Sequence, residues 1–176
     1  HPSRTNAILD LLAENCISAS FFLRGDLAAR HSSVVLRIEA DGHTIGSHTH
    51  SHPRLIDLAP DVAREEIERG VDAIAEILER APEHGELGLF RYTYLQSNET
   101  LKQIVDELNL IDVGANASGQ DWRPVGPDEV LAMVLLRLEQ NGGRGVVLLH
   151  DPFPNSRRTT EVVVNALIEA GYKFVI

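Results

Sequence analysis

The chain reads as an α/β protein. Apolar runs of helical and strand period alternate along its whole length, no repeat, low-complexity tract or linker interrupts them, and polar side chains recur just past the strand ends. With 176 residues, 43% of them apolar, a single domain over 1–176 with a sizeable core is expected. Sixteen Lys and Arg against 26 Asp and Glu give a net charge of -10, which repels nucleic acid and anionic membranes and leaves neutral partners unaffected. No stretch approaches the roughly 18 apolar residues of a spanning helix. The lone Cys16 excludes an intrachain disulfide and is expected to be a buried, inert thiol.

The elements follow from periodicity and punctuation. Ser3 or Thr5 can cap a first helix running to about Asn15, with Ile8, Leu9, Leu11 and Leu12 on its buried face, before a strand at Ala19 to Leu23. A helix over Leu27 to Ala40 is closed by Asp41-Gly42, and His43 to Gly46 forms the next strand. Pro60 starts a long amphipathic helix to about Arg80, on a stripe of Val62, Ile67, Val71, Ile74 and Ile77 to Leu78. There follow strand Leu87 to Phe90, helix Asn98 to Leu108, strand Leu110 to Val113, helix Pro127 to Asn141 and strand Gly145 to Leu149. Helix Thr159 to Ala170 and strand Tyr172 to Ile176 complete six helix–strand pairs. Such alternation makes a parallel sheet or barrel, and because it opens on a helix, either a strand lies upstream of His1 or the sheet is open.

In α/β barrels the site lies beyond the C-terminal ends of the strands. There the chain places His48 and His52, then Arg91 and Tyr94, then Asp121 and Trp122, then His150 and Asp151, so four strand ends aim His, His, Arg, Asp and His at one rim. His48 and His52 are four residues apart, on one face if the segment is a helical turn, and neutral imidazole suits zinc and its neighbours. Two imidazoles do not fill such a site, because catalytic zinc takes three protein ligands and a water. His50 is offset from that face and is expected to be supporting or exposed. His1, His31, His43 and His84 carry no functional expectation. For each candidate there is a plainer role: a strand-end His can cap a loop, Arg91 can serve a salt bridge, and Asp121 can form the turn before Trp122.

Taken together, these segments resemble the polysaccharide deacetylases, the NodB-like members of carbohydrate esterase family 4. Gly46-Ser47-His48-Thr49-His50-Ser51-His52-Pro53 resembles the family's metal motif, with histidines at i and i+4. Phe90-Arg91-Tyr92-Thr93-Tyr94 stands where Phe-Arg-Pro-Pro-Tyr is usual, Gln120-Asp121-Trp122 matches the Asp-Trp motif, and Leu148-Leu149-His150-Asp151 matches the Leu-x-His motif. Order and spacing agree over nearly the whole chain.

The resemblance implies a distorted (β/α) barrel of about seven strands, here without its first strand. It implies that His48 and His52 bind a divalent metal, zinc or cobalt, that His150 is the general acid, and that Asp121 orients it. It implies that Arg91 holds the base, that the Tyr94 backbone N–H helps form an oxyanion hole, and that Trp122 and Leu148 wall the acetyl pocket. The implied activity is metal-dependent removal of N-acetyl groups from a glucosamine-containing glycan such as a chitin oligosaccharide or peptidoglycan, at an extracytoplasmic location. The acetylated glycan is the expected partner.

Two departures accompany the likeness. The family's first motif, Thr-Phe-Asp-Asp-Gly, supplies the base and a third metal ligand, and its aspartates are not in this sequence. His1-Pro2 reads as the continuation of such a segment, so the expectation is a chain cut or misassigned at its start. Tyr92-Thr93 replaces the paired prolines, which loosens a rigid turn. The alternatives are an O-acetyl esterase acting on xylan or, if Asp-Asp is truly absent, an inactive carbohydrate-binding relative. A closed structural zinc site fits worst, because such sites are rich in cysteine.

Overall fold

A computed structural model describes residues 2–80 and 88–175. The chain divides into two compact units, Ala19–Gly114 and a second composed of His1–Ser18 with Ala115–Ile176.

The first unit is a four-stranded parallel sheet with helices packed on it. Its strands are β1 (Ser20–Leu23), β2 (Thr44–Ser47), β3 (Leu89–Phe90) and β4 (Ile111–Asp112), in that spatial order. Register runs Ser20 with Thr44 through Leu23 with Ser47, then Ser47 with Phe90 and Phe90 with Asp112. The start proposed for the third strand, Leu87, lies outside the described residues.

Between β1 and β2 the single helix expected over Leu27 to Ala40 is two, α2 (Gly25–Arg30) and α3 (Ser32–Ala40). The break is at His31, whose φ of -135° leaves the helical region, immediately before Ser32 and Ser33, which favour first-turn positions over helix interiors. Asp41-Gly42 closes α3 as expected: Gly42 has φ +77°, and His43 N–H returns to the Ile38 carbonyl at 3.1 Å.

α4 (Pro60–Ile77) opens on proline and buries Ala63, Ile67, Gly70, Val71, Ile74 and Ala75 along one stripe. Ile67 and Ile74 are fully buried, worth about 1.5–3 kcal/mol each. α5 (Glu99–Glu107) is capped by Asn98, whose side chain accepts from Leu101 N–H at 2.9 Å, and it buries Leu101, Ile104 and Val105.

The second unit contains α1 (Pro2–Glu14), β5 (Ala117–Ser118), α6 (Pro127–Gln140), β6 (Val147–Leu148) and α7 (Ser156–Glu169). Its core joins Ala117, Val130, Val134, Leu138, Val163 and Leu167, and α7 packs on both α1 and α6. β5 and β6 pair in parallel, Ala117 with Val147 and Ser118 with Leu148.

Several expectations are corrected here. Strand β5 lies between β4 and α6, where the sequence pattern marked no strand: its small residues have little strand propensity and are held as a strand by pairing with β6. Residues 172–175 form no strand: Gly171 (φ +78°) ends α7, Tyr172 packs on the core, and Val175 is 87% exposed. Thr5 is not a cap; it is buried inside α1, and its hydroxyl donates to the Asp151 carboxylate. Cys16 is exposed rather than buried, at the turn after α1 with φ +53°. Among the described residues no helix is long and apolar enough to cross a membrane.

One close approach in the first unit fixes the segment after β2. Gly70 in α4 faces the backbone of Thr49 and His50, and Gly25 at the start of α2 faces Gly70 and the His50 ring. Gly25 N–H donates to the Thr49 carbonyl at 2.9 Å, Asp26 N–H to the His50 carbonyl at 3.0 Å, and His50 N–H to the Glu66 carbonyl at 2.9 Å. A Cβ on Gly70 would lie 2.5 Å from the Thr49 carbonyl carbon, and one on Gly25 2.9 Å from the Gly70 Cα. Helix propensity alone favours Gly70→Ala by about 1 kcal/mol. The backbone clash is expected to win and to destabilise the protein by about 1–3 kcal/mol, read as a lower urea midpoint.

Candidate functional site

The expected residues fall in two groups, one in each unit. In the first unit, the strand-end segment from His48 to Arg54 is an irregular loop, not a helical turn. It folds back because Thr49 and His52 adopt φ of +66° and +67°, costly for residues with a Cβ, and because the buried Thr49 Oγ1 accepts from His52 N–H at 3.0 Å. The outcome is the juxtaposition the spacing suggested, reached by another geometry: the His48 and His52 rings stand 4.8 Å apart, edge to face.

His48 follows β2 and is anchored at both ends. Its N–H donates to the Leu23 carbonyl at 2.8 Å, and its Nδ1 lies 2.7 Å from the Arg91 carbonyl. A carbonyl can only accept, so Nδ1 carries the proton and the ring's lone pair is on Nε2. That is how ligand histidines are oriented at metal sites. Two adjacent imidazoles, one with its tautomer set this way, are a donor set that fits a borderline divalent metal. Among the described residues no group of three His, Cys, Asp or Glu gathers for one. His50, between them in sequence, has a supporting place: its backbone is held by α2 and α4, and its Nε2 accepts from Arg69 at 3.0 Å.

Arg91 follows β3 and is buried. Its N–H donates to the Ser47 carbonyl at 2.9 Å, its Nε to the Val113 carbonyl at 2.7 Å and its Nη2 to the Gly114 carbonyl at 3.3 Å, while the guanidinium lies 3.9 Å above the Phe22 ring. Burial pulls its pKa down, against the opposing charge of Asp112. Arg91 thus ties β3 to the residues after β4, and its own carbonyl orients His48.

Tyr94 is 59% exposed at φ +59°, its ring 5.1 Å from that of His52. The turn before it is tied down rather than loose. Tyr92 is buried, with its hydroxyl donating to the Leu101 carbonyl at 3.2 Å, and the Thr93 hydroxyl donates to the Pro53 carbonyl at 2.7 Å. Thr93 and Thr49 are contributors that motif reading did not single out. Both are buried hydroxyls, and burial of a threonine is not visible from sequence.

In the second unit, Asp121 follows the turn after β5, and His150 lies just past β6. Asp121 grips His150 twice: Oδ1 accepts from the ring Nδ1 at 2.8 Å and Oδ2 from the backbone N–H at 2.7 Å. The carboxylate is 5% exposed and the imidazole 34%. The pair is therefore a buried acceptor holding a partly exposed ring in one tautomer, with Nε2 as its remaining acid–base atom. Trp122, 49% exposed, meets the His150 ring edge-on at 5.4 Å, and Phe153 stands 6.1 Å from it. Leu148 lies in β6, half-buried and paired with Ser118.

Comparison with known proteins gives the family and the fold. Residues 1–112 match the family model described as polysaccharide deacetylase. The chitooligosaccharide deacetylase of Azorhizobium caulinodans is 30% identical over 155 residues, 88% of this chain and 70% of that protein. The peptidoglycan-N-acetylglucosamine deacetylase of Bacillus cereus is 29% identical over 176 residues, 97% of this chain and 61% of that protein. The solved structure of a family 4 carbohydrate esterase from Streptomyces lividans, in complex with acetate, superposes with a TM-score of 0.83 at 25% identity, over 98% of this chain and 85% of that one. The chain belongs to the polysaccharide deacetylase family and has its α/β fold.

The buried Tyr92 gives a pH signature. Burial, then the charges of Asp112 and Asp106, push its hydroxyl up from the ordinary 10.0 to about 12. The folded state holds this proton more tightly than the unfolded chain, so its contribution to stability is intact below pH 10 and is lost as pH rises towards about 12. Urea midpoints measured across that interval are expected to fall less steeply in Tyr92→Phe than in the wild type.

Proposed function

We propose that this protein is a metal-dependent hydrolase that removes N-acetyl groups from a glucosamine-containing polysaccharide. The observation that carries the reading is the double hold of Asp121 on His150, an arrangement suited to proton delivery in a chain of the deacetylase family. Relatives named for chitooligosaccharide and peptidoglycan-N-acetylglucosamine substrates support a glycan of that kind, and such glycans imply work outside the cytoplasm. The charge of -10 leaves a neutral glycan free to approach.

In this reading His48 and His52 hold a zinc ion, or cobalt in its place. When bound, such an ion would polarise an acetyl carbonyl and lower the pKa of water towards neutrality. His150, as its imidazolium, gives the proton on Nε2 to the departing amine, and Asp121 stabilises the positive charge while keeping the other proton on Nδ1. The Tyr94 backbone N–H faces the developing oxyanion, a donor of a type worth about 2.7–4 kcal/mol. The family resemblance gives Arg91 the part of orienting a carboxylate base from the Asp-Asp motif, whose aspartates are not in this sequence, and gives Trp122 and Leu148 that of receiving the acetyl methyl. The products are acetate and a free amine.

Acetate release from N-acetylglucosamine oligomers by the zinc-supplemented protein is the direct test. His150→Ala is expected to reduce kcat by about 10²- to 10⁴-fold, and Asp121→Asn by a comparable factor, because an amide offers one acceptor oxygen to two donors, the ring Nδ1–H and the His150 backbone N–H. His48→Ala and His52→Ala are expected to weaken zinc binding in calorimetry. Acetate release equal to that of His150→Ala would sink the reading. Faster release from acetylated xylan than from the N-acetyl oligomers would convert it to an O-acetyl esterase using the same residues.

A further inference from the structure

The loop that carries His52 and the turn that carries Tyr94 meet through one buried side chain. Thr93 is 1% exposed, and its hydroxyl donates to the carbonyl of Pro53, the residue next to His52. Thr93 also directly precedes Tyr94, whose ring rests 5.1 Å from the His52 ring. A threonine hydroxyl in this position costs free energy to bury unless it is bonded, and valine would fill the same volume without that cost. The bond it makes is the specific contribution.

The backbone explains why a side chain is needed here. Tyr92 has φ -64° and ψ 136°, the narrow region to which a proline and a residue before proline are confined. No pyrrolidine ring enforces it in this chain. Two side-chain bonds do so instead: the Tyr92 hydroxyl to the Leu101 carbonyl on α5 and the Thr93 hydroxyl to the Pro53 carbonyl. Further out, Arg54 Nε donates to Gln96 Oε1 at 2.9 Å across the same two segments, but that pair is exposed and correspondingly weak.

We propose that Thr93 is a positioning residue: its buried hydrogen bond to Pro53 sets the spacing of His52 from Tyr94 and, through it, how tightly the histidine pair holds a divalent metal. The second half of this statement rests on the metal-dependent reading above; the first half stands without it.

The experiment compares wild type with Thr93→Val, Thr93→Ser and Thr93→Ala, using the His52–Tyr94 ring-to-ring nuclear Overhauser effect without added metal, zinc affinity by calorimetry, and circular dichroism for folding. Wild type and Thr93→Ser, which keeps the hydroxyl, are expected to show the Overhauser contact. Thr93→Val is expected to lose roughly half or more of it and to bind zinc about tenfold more weakly, the scale on which supporting residues act at metal sites. If Thr93→Val does not fold, Thr93→Ala against Thr93→Ser decides, the contact being lost in the first and kept in the second. An unchanged contact in the folded variants lacking the hydroxyl overturns the proposal. If no variant, nor the wild type, binds zinc, the metal reading fails while the Overhauser comparison still decides the role of Thr93.

Discussion

The close approach of Gly25 to Gly70, and of Gly70 to the backbone of Thr49 and His50, is the constraint on which the histidine loop depends. With hydrogen in place of a side chain at Gly25 and Gly70, α2 and α4 approach near enough to donate to and accept from residues 49 and 50. Those backbone bonds hold the chain as it leaves β2, so His48 and His52 emerge from a fixed origin. The left-handed conformations at Thr49 and His52 are then affordable, because the surroundings determine them more strongly than local preference opposes them. The second unit uses the same device: a Cβ on Gly119 would meet Val130 Cγ1 at 2.4 Å, so the segment leading to Asp121 lies directly on α6.

Each group of candidate residues solves the same problem, fixing the tautomer of a neutral histidine, with a different acceptor. His48 gives its Nδ1 proton to the main-chain carbonyl of Arg91, and His150 gives its own to the carboxylate of Asp121. A carbonyl and a carboxylate can both only accept, so in each ring Nδ1 is the donor and Nε2 is the ring position left outside that bond. Arg91 connects this chemistry to the sheet. Its side chain secures the residues after β4, which places the carbonyl that His48 needs.

The motif residues were legible in the sequence because they follow apolar runs that read as strands, and because histidine, arginine and tryptophan are conspicuous there. Helices α4, α5 and α6 were legible for the same kind of reason, since stripes such as Ile67, Val71 and Ile74 are visible without coordinates. The division at His31 was not, because Leu27, Val35 and Ile38 keep helical spacing across the break. Nor was β5, whose Ala117 and Ser118 have no strand signature of their own and exist as a strand only through β6. The reverse happened at the C-terminal end, where Tyr172, Phe174 and Val175 have strand character and no pairing partner among the described residues.

By itself, then, the sequence determined the α/β class, most helices, and which side chains stand just past the strand ends, because periodicity, caps and side-chain type are local properties. Tertiary structure alone decided how those residues are held. The histidine pair is joined by a strained loop rather than a helical turn, Tyr92 and Thr93 brace the turn through α5 and Pro53, and Cys16 stands in solvent. Each of these depends on a partner distant in sequence, or on the lack of apolar cover, and a hydrogen bond between residues forty positions apart leaves no periodic trace in the chain that encodes it.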